Sequence, residues 1–338
     1  MKVIVVGAGI IGASCAYHLA QAGAQVTLID AHDAGGQASA RSFGWINASF
    51  AETDAYYGLR RRAIDHFRDL SKTVTLPELR WKGALWWEDS GADFDAQVAQ
   101  LAARGYEAEV IDAAAFAALE PHVANPPARA ILGQVEGAAR GDLIARTLVQ
   151  AAGVTLVPGC QVHRVHADAV ETSQGTFKAP RVIVAVGAQS HDLLGLPMDN
   201  QAGIIVHTKP TAPLVDHIIM SPDIHFRQSP DGRIIMGEIF SGGGLGTRSL
   251  EGFVDDLMTR LRARLPDATL ALDQVLQGLR PVPADGLPVI GDMQGIYAVT
   301  MHSGITLGPY VGALVAAEVM GDTQDMLAPF RPARLMHD

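Results

Sequence analysis

Short hydrophobic runs punctuated by glycine set the pattern of this chain. Lys2–Val6 (KVIVV) is β-branched and apolar throughout, as a strand buried on both faces would be. Gly7-Ala8-Gly9-Ile10-Ile11-Gly12 follows at once. Ala13–Ala22 then carries helical spacing, with Cys15, Ala16 and Leu19 on one face and Gly23 at the position just past the helix. Gln25–Ile29 is a second strand-like run, closed by Asp30. Further on, Arg80–Glu88 holds Trp81, Trp86 and Trp87 and suits an antiparallel strand with large side chains. Amphipathic helices are predicted over Gly141–Ala151 and Gly252–Leu265, and another buried strand over Arg181–Val186, ending in Gly187-Ala188. Ile224–Gln228 and Arg233–Ile239 are joined by Ser229-Pro230-Asp231-Gly232, a hairpin signal. Near the C-terminus, Ile296–Met301 reads as a strand and His302-Ser303-Gly304 as a turn. Thr306–Met320 reads as a helix with Pro309 in its first turn.

The N-terminal segments place G-x-G-x-x-G between a strand and a helix, with an acid 18 residues past the third glycine. Gly7 makes the tight turn, and Gly9 lets backbone N–H groups approach a pyrophosphate. Gly12 lets helix and strand pack closely, while the helix N-terminus faces the anion. Asp30 can accept hydrogen bonds from a ribose diol. The arrangement predicts dinucleotide binding and leaves open whether NAD or FAD is bound.

Composition narrows the class. Of 338 residues 48% are hydrophobic and 18% charged, enough for buried cores and against disorder. The net charge of −10 argues against nucleic acid and against a polybasic membrane anchor. No charge-free run of 18 apolar residues is present outside the N-terminus. There the glycine fingerprint explains the sequence better than a signal peptide does. Two cysteines, Cys15 and Cys160, give neither a disulfide scaffold nor a thiolate zinc cluster and suit a reducing compartment. A cytoplasmic protein is expected.

Residues 33–50 do not continue as a further strand–helix unit. They form a polar, glycine-rich loop in which Ser39 and Ser42 offer hydroxyls, Arg41 a cation and Gly44 a point of close backbone approach. Such a loop can wrap an extended cofactor beyond its pyrophosphate. The C-terminal turn at Ser303 and Gly304 would present a helix N-terminus, whose positive dipole end suits an electron-rich flavin pyrimidine edge.

Five blocks in this order resemble the D-amino-acid oxidase superfamily of flavoproteins, which includes glycine oxidase and sarcosine oxidase. They are GAGIIG (7–12), GGQASARSFGWINA (35–48), APRVIVAVGAQS (179–190), GLRPVPADGLPVIG (278–291) and MHSGITLGP (301–309). The resemblance spans nearly the whole chain. It implies an α/β fold in which a Rossmann-type FAD-binding domain is interleaved with an α+β substrate domain containing an antiparallel sheet. The FAD domain would use 1–79, 137–200 and 278–338, and the substrate domain 80–136 and 201–277. Ser39 would sit at the pyrophosphate, and Arg41 to Trp45 would run toward the flavin ring. Val162 would meet the adenine, and Gly304, Ile305 and Thr306 would face the ribityl and pyrimidine side. The remaining cofactor contacts would be Gly7, Gly9, Ile11, Gly12, Asp30, Ser42, Gly44, Gly187 and Ser303. The sequence departs from the family in carrying Asp30 where relatives mostly carry Glu. Neither cysteine lies in the C-terminal block where sarcosine oxidase tethers its flavin, so noncovalent FAD is expected.

The chemistry implied is FAD-dependent oxidation of a C–N bond in a small amino acid or N-substituted amino acid, by oxidative deamination or dealkylation. The electron acceptor is O2 or a partner protein, and a homo- or hetero-oligomer is compatible with either. Arg280 of G-x-R-P is the candidate carboxylate anchor, since a guanidinium grips a carboxylate with two prongs. His302 is placed to set flavin or substrate protonation, and Trp45 to cover the active-site side of the flavin. His225 and Arg227 share one face of the hairpin strand and Gln228 the other, and one of these faces should line the pocket. His163-x-x-His166 has metal-like spacing but no carboxylates nearby. Two other readings are an FAD subunit of a hetero-oligomeric opine-type dehydrogenase and an FAD-stabilised module without activity.

Overall fold

The computed structural model describes residues 1–238 and 245–336. Strand β1 (Lys2–Val6) runs into helix α1 (Ile10–Gln21) and strand β2 (Gln25–Ile29), and β1 and β2 pair in parallel from Lys2↔Gln25 to Val6↔Ile29. They form the centre of a six-stranded sheet. Val182–Val184 lies on the other side of β1, followed by Ile296–Thr300 and Val289–Met293, and Thr155–Val157 lies outside β2. Every pairing is parallel except that of the hairpin Val289–Thr300, which supplies an antiparallel edge. A β-branched run such as KVIVV lacks alternation because both faces of such a sheet are covered, and Val3–Val6 are all buried. α1, α2 (Asp54–Thr73) and the C-terminal helix Gly304–Met320 pack on one face.

The second layer is an eight-stranded sheet built from stretches within 84–133 and 201–280. All its neighbours are antiparallel except Ala84–Trp86 beside Ile218–Met220. The strand expected over Arg80–Glu88 is thus shortened to three residues and is antiparallel on one side only. The hairpin forms as His225–Gln228 against Ile234–Gly237, while Ile239 lies outside the described residues. The last strand, Leu272–Arg280, pairs with Gln201–Thr208, so Gly278–Arg280 belong to this sheet and not to the dinucleotide layer. Helix Leu250–Arg264 covers the far face through Phe253, Leu257 and Leu261.

Several local boundaries differ from the sequence reading: the helix expected over Gly252–Leu265 is Leu250–Arg264, and the strand expected over Arg181–Val186 is Val182–Val184. The C-terminal helix starts at Gly304, which puts Pro309 inside it rather than in its first turn. α1 starts at Ile10 with Gly9 as its N-cap, so the fingerprint straddles the helix start, with Gly7 before it and Gly12 in its first turn.

Candidate functional site

A cavity of about 400 Å³ runs between the two layers, from the β1–α1 turn to the start of the C-terminal helix. At one end Gly7 adopts φ +97°, and a Cβ there would stand 2.4 Å from the Ala185 carbonyl oxygen. Only glycine takes that conformation and that space without strain. Gly12 does not line the cavity: a Cβ on it would meet the Gly7 carbonyl at 1.8 Å, so it serves the packing of helix on strand. The Ile10 N–H donates to Ser39 Oγ at 3.0 Å, which ties the polar loop to the helix N-terminus. Asp30 accepts from the N–H groups of Ala8 (2.5 Å) and His32 (2.7 Å) and also lines the cavity. Val162 lines the same end, and the Cys160 N–H donates to the Asp30 carbonyl.

The loop forms the long wall. Arg41 donates to Gln37 Oε1 at 3.0 Å, and Ser42 Oγ accepts from the Gly44 N–H at 3.1 Å. Arg41, Ser42 and Gly44 all line the cavity. Trp45 lines it too, yet its indole is anchored in the core. It packs against Phe50 and Trp86, with centroids 5.5 and 6.4 Å away, and donates from Nε1 to Glu136 Oε2 at 2.6 Å. Trp45 is therefore a fixed wall residue rather than a free cover.

The opposite end is rich in positive charge. Arg280 donates from Nη2 to the Ala202 carbonyl at 3.1 Å, while its buried Nε and Nη1 have no hydrogen-bond partner. Among the described residues no acid pairs with it, and burial pulls its pKa below the ordinary arginine value. His302 is pushed down to about 4, first by burial and then by the charges of Arg280 and Arg60, so its imidazole is neutral at physiological pH. Ser303 caps the C-terminal helix without a side-chain bond to its first turn, and Gly187, Ser303, Gly304, Ile305 and Thr306 line the wall beside it. Thr306 Oγ1 donates to the Trp45 carbonyl and accepts from the Asn47 N–H, both at 3.3 Å.

Two expected substrate residues stay out of the cavity lining. His225 is buried against Glu88, with Nε2 2.6 Å from Oε1. Arg227 is fully buried, donates from Nε to the Phe43 carbonyl at 2.6 Å, and has its pKa lowered to about 10 by burial and by the charge of Arg140. Both lie on the sheet face opposite Phe226, and Arg227 is packed behind Phe43 and Gly44, which themselves line the cavity. Gln228, on the other face, accepts from the N–H groups of Leu214 and Val215. Among the described residues no cluster of three metal-ligating side chains occurs, but, contrary to the expectation of no carboxylate near His163-x-x-His166, Glu171 on the neighbouring strand stands 2.8 Å from His166 Nε2. Sequence reasoning missed Arg60, Asn47 and Glu136. Arg60 stands in an arginine triplet that resembles a solvated face.

A long cavity with a glycine-turn cradle and a ribose-competent carboxylate at one end, and unpaired cations at the other, fits an extended dinucleotide whose reactive ring lies far from its adenosine. The chain is 30% identical to the uncharacterized oxidoreductase YurR of Bacillus subtilis, over 98% of each chain. It is 26% identical to the glycine oxidase of Pseudomonas aeruginosa, again over 98% of each. The fold superposes on the crystal structure of glycine oxidase from Geobacillus kaustophilus with a TM-score of 0.88, covering 99% of this chain and all of the other, at 23% identity. The family model of FAD-dependent oxidoreductases matches residues 2–318, and the chain belongs to that FAD-binding family.

Proposed function

We propose that this enzyme oxidises the C–N bond of a small amino acid or N-substituted amino acid. FAD supplies a hydride acceptor. The substrate gives up the hydride from its α-carbon and its amine lone pair completes an iminium ion, which water splits into an oxo acid and a protonated amine. The observation that carries this reading is Arg280, a cavity arginine with two unsatisfied donors and, among the described residues, no acid beside it. A small amino acid has two polar handles. Its amine must be neutral and free to react, so its carboxylate fixes orientation, and a buried guanidinium without a counter-charge is its natural partner.

In this reading the adenosine lies by Asp30 and Val162, the pyrophosphate by Gly9, Ile11 and Ser39, and the flavin ring by Gly44, Gly187 and Ser303–Thr306. Neutral His302 adjoins the ring and cannot compete with the substrate carboxylate for Arg280. The FAD is held without a covalent bond: Cys15 is buried in α1, and Cys160 lies at the Asp30 end, far from the ring. Acid precipitation should therefore release all the flavin into the supernatant.

The test is anaerobic mixing of the yellow protein with glycine, sarcosine, and D- and L-amino acids, followed by readmission of O2 or an artificial acceptor. Bleaching by at least one carboxylated amine is expected. Arg280→Ala should retain FAD and lose one to two orders of magnitude in kcat/KM, since a charge-assisted pair contributes about 1.5–3 kcal/mol. Arg280→Lys should recover only part of the loss. Near-parental kinetics in Arg280→Ala, or bleaching by simple amines alone, would overturn the reading.

A further inference from the structure

Arg60 lies on α2 at 3% exposure, yet it reaches the cavity. Its Nε donates to the Asn47 carbonyl at 3.0 Å, and Nη2 donates to Asn47 Oδ1. Nη1 donates to the Phe50 carbonyl at 3.3 Å and to Ser303 Oγ at 3.1 Å. None of these partners is an acid, and among the described residues no ion pair involves Arg60. Burying a guanidinium without a counter-charge is costly. A structural tie between two loops could be made by neutral groups at lower cost. The acid whose charge interacts with it, Glu136, is fully buried and is itself raised to about 7, so it is carboxylate only part of the time near neutrality. The field of Arg60 does reach the site, because it helps hold His302 neutral.

We propose that Arg60 is a positioning residue for the flavin: it fixes Ser303 at the start of the C-terminal helix and keeps an uncompensated positive charge beside the ring. Ser303 Oγ spends a lone pair on Arg60 and none on its own helix, and the Gly304 N–H is taken by the His302 carbonyl, so the Ser303 hydroxyl proton and the N–H groups of Ile305 and Thr306 stay available to an acceptor in the cavity. Charge that develops on the ring as it takes up a hydride is stabilised there by Arg60, Arg280 and the helix dipole together. Arg60 does so without contacting substrate, which separates its role from that of Arg280.

The inference rests on the placing of the ring at the Ser303 end, and the test reads the flavin directly. The reduction potential of the FAD-saturated protein is measured by dye equilibration. Its affinity for sulfite, which adds to oxidised flavin to give an anion, is measured by loss of the yellow absorbance. R60M should weaken sulfite binding at least tenfold and lower the potential, each tenfold change in a two-electron equilibrium being about 30 mV. R60K, which keeps the charge, should stay close to the parent. If R60M does not load FAD, R60Q replaces it as a neutral side chain that can still bond Asn47 and Ser303. Parental potential and sulfite affinity in a neutral variant would overturn the proposal. So would equal defects in R60K and the neutral variants, which would mean that shape and not charge is required. R280M, at the same end of the cavity, should lower the potential as well. Parental potentials in both R60M and R280M would put the ring away from the Ser303 end, and the earlier reading would fail instead.

Discussion

Trp45 and Glu136 stand 91 residues apart in the chain and meet through a 2.6 Å bond from indole Nε1 to carboxylate Oε2. Tyr106 donates to the other oxygen at 2.7 Å. The bond joins the cavity wall at Trp45–Ile46 to the turn after Arg129–Gly133 and keeps the indole in the core. Burial raises the Glu136 pKa to about 7, against the hydrogen bonds from Tyr106 and Trp45 and the charge of Arg60.

That raised value gives a sign to the pH dependence of stability. An unfolded glutamate titrates near 4.5, so between about pH 4.5 and 7 the folded chain holds a proton that the unfolded chain has lost. The contribution of Glu136 is most favourable below this window and is lost as the pH rises through it. The loss is on the order of 3 kcal/mol at about 1.4 kcal/mol per pH unit. Glu136→Gln should remove that slope. Chemical denaturation from pH 4.5 to 8 should show the variant gaining on the parent as the pH rises. A difference between the two that stays flat with pH would refute the assignment.

Much of the dinucleotide layer was legible in the sequence because it is coded locally. Lys2–Val6, the three glycines and Asp30 each carry a backbone requirement that no other pattern meets as well. His302 and Arg280 were legible only through the motif blocks, but both line the cavity. The substrate side was less legible. Alternation in His225–Gln228 identifies two faces, and nothing local says that Phe43–Trp45 covers one of them, a relation set by contacts about 180 residues apart. Arg60 did carry a signal. It falls four residues after Tyr56 and four before Ile64, on the buried stripe of α2 with Phe67. The neighbouring Arg61 and Arg62 disguise it as part of a charged surface.

Asp30 does two jobs, which sharpens the expected effect of removing it. It holds the glycine turn through the Ala8 N–H and has further lone pairs toward the cavity. Asp30→Ala should weaken FAD binding at least tenfold, read by fluorescence titration of the apoprotein. Once saturated with FAD, its rate of reduction by substrate should stay within a few-fold of the parent. An unchanged affinity would mean that the carboxylate serves only the turn.

His18 of α1 and His66 of α2 place their rings 5.3 Å apart, and the Nε2 atoms of both are buried without a partner. Burial, with the charge of His66 added, lowers His18 to about 4. A histidine depressed in the fold opposes folding as acid is added. Its unfavourable contribution is absent above about pH 6.5, where both states are neutral, and grows as the pH falls toward 4. A stability loss of roughly 2–3 kcal/mol across that window is expected from His18, and His18→Leu should abolish this part of it. Thermal melts at pH 7.5 and 5 decide the point: the gap between the two temperatures should narrow in the variant. An equal gap in both proteins would show that the pair titrates as freely in the fold as out of it.

On the proposed reading His302, a cavity-lining residue, adjoins the reacting ring, a position that suggests an acid or base. Its environment says otherwise. Burial disfavours the imidazolium first and the charges of Arg280 and Arg60 add to it, so the ring stays neutral until about pH 4. A neutral imidazole between pH 5 and 9 neither gains nor loses charge over the range where an amino acid is oxidised. The acid limb of kcat/KM should then follow deprotonation of the substrate amine, because only the neutral amine can release a hydride from its α-carbon. It should move with the amine pKa when one substrate is exchanged for another. His302→Gln should change the height of the profile and leave its shape, since glutamine replaces the hydrogen-bonding edge but has nothing to titrate. An inflection between pH 6 and 7 in the parent that vanishes in His302→Gln would make this histidine the titrating group and reverse the argument.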